Sequence, residues 1–121
     1  MNRVAFREHR GVRYLELDFT HMTELLPVQE TCAAAHAAIR REPLGSVRTL
    51  TNVTGSHFNK PIVAAMRQLA VDNKPYVRAA AIVGLTGLMK VVYNAIVRLT
   101  GRNIVAFDHV DPAREYLAGE V

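Results

Sequence analysis

The chain has 121 residues, of which 50% are hydrophobic and 21% are charged, and its formal net charge is +4. This length suits a single domain over residues 1–121, because two domains would each have too small a core. The composition excludes a disordered or fibrous chain. Cys32 is the only cysteine, which excludes an internal disulfide framework and a multi-cysteine metal site.

The positions of the charged residues argue against a secretion signal and against a membrane span. The first twenty residues carry seven charged side chains, so they cannot form the apolar segment of a secretion signal. The only long apolar run, at 79–99, is interrupted by glycine, asparagine, lysine and arginine, and we therefore expect no membrane span. These observations favour the cytoplasm.

The amino-terminal third predicts a β-hairpin followed by a helix. Residues 4–7 form a first short strand, and the mostly alternating apolar residues of 12–19 form the second. The alanine-rich segment 28–41 predicts the helix, which ends in two arginines that suit the negative end of its dipole. Thr20 and Thr23 are its candidate N-caps.

Three short apolar runs follow, at 47–53, 77–83 and 104–107. Their apolar character is typical of strands covered on both faces, and we predict all three as central strands of a sheet.

Between these strands, apolar residues recur at helical spacing and predict helices. Asn59 is the predicted N-cap of the helix that begins at Lys60 and Pro61, and Gly101 is the predicted C-cap of the helix at 88–99. Asp111 is predicted to cap a final helix. The order β-β-α-β-α-β-α-β-α predicts an α/β fold with a mostly parallel central sheet and an antiparallel edge hairpin.

Five short segments carry a family resemblance. They are TNVTG at 51–55, NKPYV at 73–77, AIVGLTGL at 81–88, TGRN at 100–103 and FD at 107–108. With the order of elements, they resemble the small bacterial SpoIIAA-like proteins, which are related to the STAS domains of sulfate transporters and anti-sigma-factor antagonists. The resemblance covers essentially the whole chain. It implies the STAS fold and a non-enzymatic regulatory or protein-interaction domain with a protein partner.

The first candidate site is the loop after the third strand. In the antagonist branch a phosphorylatable serine lies there, and the matching segment here holds Thr54, Ser56 and His57, followed by Lys60. It lacks the antagonists' run of an aspartate, two small hydroxyl residues and a glycine. A phosphate at this position would lie near a helix N-terminus, whose dipole favours negative charge. The loop is therefore a candidate phospho-switch or ligand contact, and the alternative is ordinary turn chemistry.

The second candidate site follows the next strand. Gly84, Thr86 and Gly87 precede a helix whose first turn contains Lys90, so backbone N–H groups in this segment are candidates to hold an anion. The glycine spacing fits neither a Walker loop nor a dinucleotide fingerprint. A tight turn with close helix–strand packing is the alternative.

The middle of the chain is strongly basic. Between residues 43 and 107 there are eight basic residues and a single acidic one, Asp72. This asymmetry indicates an anionic partner or a solvated basic surface. Because no arginine-rich run or aromatic interleaving accompanies it, we expect no nucleic-acid partner.

No catalytic, cofactor-binding or metal-binding constellation is visible, so we expect no enzyme, no cofactor and no metal. The alternative to the regulatory domain is a binder of a small apolar or anionic ligand, such as a lipid, at the carboxyl edge of the sheet. The segment 88–99 carries apolar residues around much of its helical circumference. We therefore predict that part of it, or its neighbour 61–69, forms a homodimer face.

Overall fold

The computed structural model describes residues 3–119, and the predicted α/β fold and element order are confirmed there. Its helices and strands, in chain order, are β1 (Val4–His9), β2 (Val12–Asp18), α1 (Leu25–Ile39), β3 (Val47–Asn52), α2 (Lys60–Asn73), β4 (Val77–Val83), α3 (Leu88–Thr100), β5 (Ile104–Phe107) and α4 (Val110–Gly119). Across the described range, no helix is long and apolar enough to cross a bilayer.

The five strands form one sheet in the order β1-β2-β3-β4-β5. The β1–β2 pair is antiparallel and the other pairs are parallel, which confirms the predicted mostly parallel sheet with an antiparallel edge hairpin. The strands β2 to β5 neighbour one another in the sheet in the same order as in the chain. Because connections between parallel strands cross over with the same right-handedness, α1, α2 and α3 all lie on one face of the sheet. The helix α4 follows the last strand and covers the other face.

The prediction of β5 as a central strand was wrong, whereas β3 and β4 are central as predicted. The strand β5 pairs with β4 alone among the described strands and therefore lies at the edge of the sheet. Its apolar residues are explained by cover from both sides. Ile104 packs against the core under α1–α3, and Phe107 packs against the core under α4.

Two apolar cores lie on opposite faces of the sheet because successive strand residues point to opposite sides. On β4, Ile82 belongs to the core beneath α1–α3, whereas Ala81 and Val83 belong to the core beneath α4. Leu50 of β3 and Leu117 of α4 are completely buried in the second core. Burial of each such leucine stabilises the fold by roughly 1.5–3 kcal/mol.

Two helix ends confirm the capping predictions. The Asn59 side-chain oxygen accepts a hydrogen bond from the Ile62 N–H at 3.0 Å, so Asn59 caps α2. Gly101 ends α3 with φ of +69°, the left-handed conformation that glycine adopts without strain.

Two other helix starts differ from the predictions. The helix α1 begins at Leu25, and neither predicted threonine caps it. Thr20 instead donates its hydroxyl to Asp18 at 2.5 Å, in the turn that leaves β2. The helix α4 begins at Val110, so Asp111 lies within its first turn rather than at the cap. There its carboxylate still lies near the positive end of the helix dipole, which stabilises negative charge.

Candidate functional site

The two predicted loops are neighbours at the carboxyl edge of the sheet. Gly84 lies so close to Thr54 that a Cβ on Gly84 would come within 2.3 Å of the Thr54 Oγ1 and 2.7 Å of its Cα. Gly84 also has φ of +92°, so both space and backbone conformation require glycine at this position. The structure thus brings Thr54 and the Gly84–Gly87 turn into contact.

The hydroxyl groups of the first loop are engaged in local hydrogen bonds. The Thr54 hydroxyl donates to Asn52 Oδ1 at 2.7 Å, and the Ser56 hydroxyl donates to the Val53 carbonyl at 2.7 Å. These are the bonds of ordinary turns. His57 and Lys60 are exposed beside them.

The second loop uses part of its backbone internally. The Met89 and Lys90 N–H groups donate to the carbonyls of Thr86 and Gly87, at 3.0 and 3.1 Å. Two of the N–H groups expected to face an anion are therefore occupied. Thr86, Gly87 and the Lys90 side chain are exposed.

An apolar cavity of about 70 Å³ lies between the sheet and the helices α2 and α3. The strands β2, β4 and β5 and both helices line it with aliphatic side chains, among them Leu17, Leu69, Ala80, Ile82, Ile96 and Ile104, and β3 contributes Thr49 and Thr51. The eight predicted site residues do not line this cavity. From their two loops, only Phe58 and Leu85 reach it. The cavity thus lies on the face of the sheet, deeper than the predicted ligand site at its edge.

A buried cation lines the cavity. Arg102 is only 9% exposed, and its Nη1 donates to the Ala70 carbonyl at 2.8 Å. In residues 3–119, no carboxylate forms an ion pair with it. Burial lowers the pKa of the Arg102 guanidinium. Arg102 follows the Gly101 cap directly and precedes the apolar strand β5 in the chain.

Basic side chains bind the carbonyls at the carboxyl ends of α2 and α3. Lys74 Nζ donates to the Thr100 carbonyl at 3.1 Å, and Arg40 donates to the Asp72 carbonyl at 2.7 Å. With Arg102 on Ala70, these contacts place positive charge at the negative ends of the helix dipoles. Two bases of the basic middle segment, Lys74 and Arg102, therefore have structural partners.

Among residues 3–119 the structure shows neither a thiol with a lowered pKa nor a cluster of metal ligands. Cys32 on α1 is half-buried, and burial raises its pKa to about 11. Within the described part of the chain, no group of three or more His, Cys, Asp or Glu residues could hold a metal ion.

Comparison of the chain with protein-family models, with curated proteins and with solved structures finds no match in any of the three. Its function is therefore inferred from the cavity, the buried arginine and the two adjoining loops.

Proposed function

We propose that this chain is a non-enzymatic binding domain that takes a small apolar molecule with one anionic group into the cavity beneath α2 and α3. The apolar cavity is the observation that carries the proposal. Apolar cavities are poorly hydrated and bind apolar molecules of matching size. Transfer of apolar surface from water contributes about 25 cal/mol per Å² buried.

Arg102 supports the preference for an anionic group. A buried cation is costly unless it is paired, and the Ala70 carbonyl at the end of α2 supplies only a partial negative charge. A carboxylate on the ligand would form a charge-assisted hydrogen bond with the guanidinium. The apolar part of the ligand would then lie against Ile82 and Ile96.

The helix α3 is the wall through which a ligand would enter. Only Met89 of its thirteen residues is buried. Its Tyr93 hydroxyl donates to the Ile104 carbonyl and ties the middle of the helix to β5. A ligand larger than the present cavity requires α3 to move outward from the sheet.

The test compares a carboxylate with its neutral counterpart. Isotope-labelled protein is titrated with butanoate and with 1-butanol while amide chemical shifts are followed. We expect shifts around the cavity for both, with tighter binding of butanoate. In Ala80→Val, whose added methyl groups fill the cavity, both should bind more weakly. In Arg102→Met, the preference for butanoate should disappear. Absence of shifts around the cavity for both probes would refute the proposal.

A second candidate is a cytoplasmic regulatory domain of STAS type, which the sequence resemblance implies. The contact between Gly84 and Thr54 favours it, because the two loops form one continuous edge for a protein partner. On this proposal, a phosphate on Thr54 or Ser56 adds nearly two negative charges and blocks docking.

The second candidate is tested by mass spectrometry of protein from its native cell and by partner pull-down. Thr54→Asp and Ser56→Asp should keep the fold and lose the partner, whereas Ser46→Asp, in the loop before β3, is the control. If no phosphate is found and both variants keep every partner, the proposal of a regulatory switch is wrong. The hydroxyl groups of the loop would then serve only to stabilise its turns.

A further inference from the structure

The outer face of α3 is apolar. Leu88, Val91 and Leu99 are 82%, 64% and 72% exposed, and Ala95 is exposed between them. Their spacing of three and four residues places them in one stripe along the helix. Met89, Tyr93 and Ile96 point the other way, toward the core and the cavity. The stripe is therefore separate from the ligand site proposed above.

Basic side chains border this stripe on both sides. Lys60 and Arg67 of α2 line a groove shared with Val92 of α3. Lys90 and Arg98 are exposed on α3 itself, and Lys90 lines a second groove, on the β5 side, together with Asn94 and Asp108. The two helices contain one acidic residue, Asp72, which accepts a hydrogen bond from Gln68 at 2.8 Å. The surface thus combines an apolar centre with positive flanks.

We propose that this surface, formed by the exposed residues of α2 and α3 and here called the α2–α3 face, docks on an anionic lipid membrane. The stripe would enter the boundary between headgroups and acyl chains, as the apolar side of an interfacial helix does. Lys60, Arg67, Lys90 and Arg98 would contact the phosphate groups, whose negative charge complements theirs.

Charge complementarity favours a membrane over a second copy of the chain. In a symmetric dimer the same patch meets itself, so the four bases would lie against the same four bases. Like charges across an interface are unfavourable. An anionic bilayer presents a net negative charge to these bases and can cover the whole stripe. This inference does not depend on the proposed ligand.

The experiment is co-sedimentation of the full chain with vesicles. Vesicles of phosphatidylcholine alone are compared with vesicles of equal parts phosphatidylcholine and phosphatidylglycerol. We expect binding to the anionic vesicles only, weakened by salt. The L88S/L99S variant should lose binding. Its control is Leu44→Ser, which removes a leucine that is 71% exposed in the loop between α1 and β3.

Charge variants test the flanks separately. Lys60→Gln and Arg67→Gln should each weaken binding to the anionic vesicles about five-fold, and Arg41→Gln, an exposed residue after α1, should not. All these positions are exposed, and circular dichroism verifies that each variant is folded.

Two outcomes would overturn the inference. One is the absence of binding to anionic vesicles, or binding that L88S/L99S retains. The other is a dimer, seen by light scattering without vesicles, that L88S/L99S converts to monomer, because a second copy would then cover the stripe.

Discussion

Burial determines the chemistry of Cys32 in α1. The structure places it half-buried against the core beneath α1–α3. Desolvation raises the pKa of its thiol to about 11, because the charged thiolate is disfavoured away from water. The residue is therefore unsuited to act as a nucleophile.

Alkylation tests this property of Cys32. The rise of its pKa from 9.0 to about 11 lowers the thiolate fraction near neutral pH roughly a hundred-fold. We expect iodoacetamide to modify the folded protein slower by about that factor than the protein unfolded in urea, as measured by mass spectrometry. Equal rates in the two states would contradict the assignment.

At the scale of elements, Arg40 joins α1 to the end of α2. Its guanidinium donates to the Asp72 carbonyl and, at 3.2 Å, to the side-chain oxygen of Asn73, which is 3% exposed. It also lies over the Tyr76 ring, 4.6 Å from the centroid. One side chain thereby satisfies a helix end and a buried amide.

Loss of this arginine should destabilise the fold measurably. We expect Arg40→Met to lower the free energy of unfolding by roughly 1.5–3 kcal/mol, because the buried Asn73 oxygen loses its charged donor. The matched control is Arg41→Met, which changes an exposed neighbour and should stay within about 0.5 kcal/mol. Urea denaturation measures both variants, and equal effects would show that the Arg40 contacts contribute nothing.

The attachment of α3 depends on Tyr93. Its hydroxyl donates to the Ile104 carbonyl, and burial raises the pKa of this phenol. We expect Tyr93→Phe to lower stability by about 1 kcal/mol and to speed amide exchange in α3 more than in α1. Hydrogen-exchange mass spectrometry reports both helices in one sample. A uniform increase would mean that the bond stabilises the whole fold rather than this helix.

At the scale of the whole molecule, the two faces of the sheet are packed differently. The face under α2 and α3 contains the cavity, whereas between the sheet and α4 the side chains of Ala81, Ala113 and Leu117 are completely buried. Adjacent residues of β4 lie on opposite faces, since Ala80 lines the cavity and Ala81 faces α4.

The same substitution at these two alanines should have opposite effects. Ala80→Val fills the cavity and should raise stability by about 0.5–2 kcal/mol. Ala81→Val forces extra volume into a packed core and should lower it by about 1–3 kcal/mol. Thermal unfolding of the two variants measures the difference. Comparable destabilisation by both would show that the cavity cannot accept a larger side chain.

The sequence alone determined the features that depend on local chemistry and periodicity. The order of strands and helices follows from the spacing of apolar residues. That spacing is visible within each short segment of the sequence, so it needs no knowledge of distant contacts. Asn59 and Gly101 were predictable as caps because capping requires a side-chain acceptor or a left-handed backbone within a few residues.

Only the tertiary structure decided the position of β5, the cavity and the place of Arg102 within it. An edge strand covered on both faces has the same apolar pattern as a central one, so the pattern could not distinguish them. The hydrogen bond from Arg102 to Ala70 joins residues 32 positions apart. Such a contact depends on how α2, α3 and the sheet pack together, because that packing sets which side chains meet and how much space remains between them.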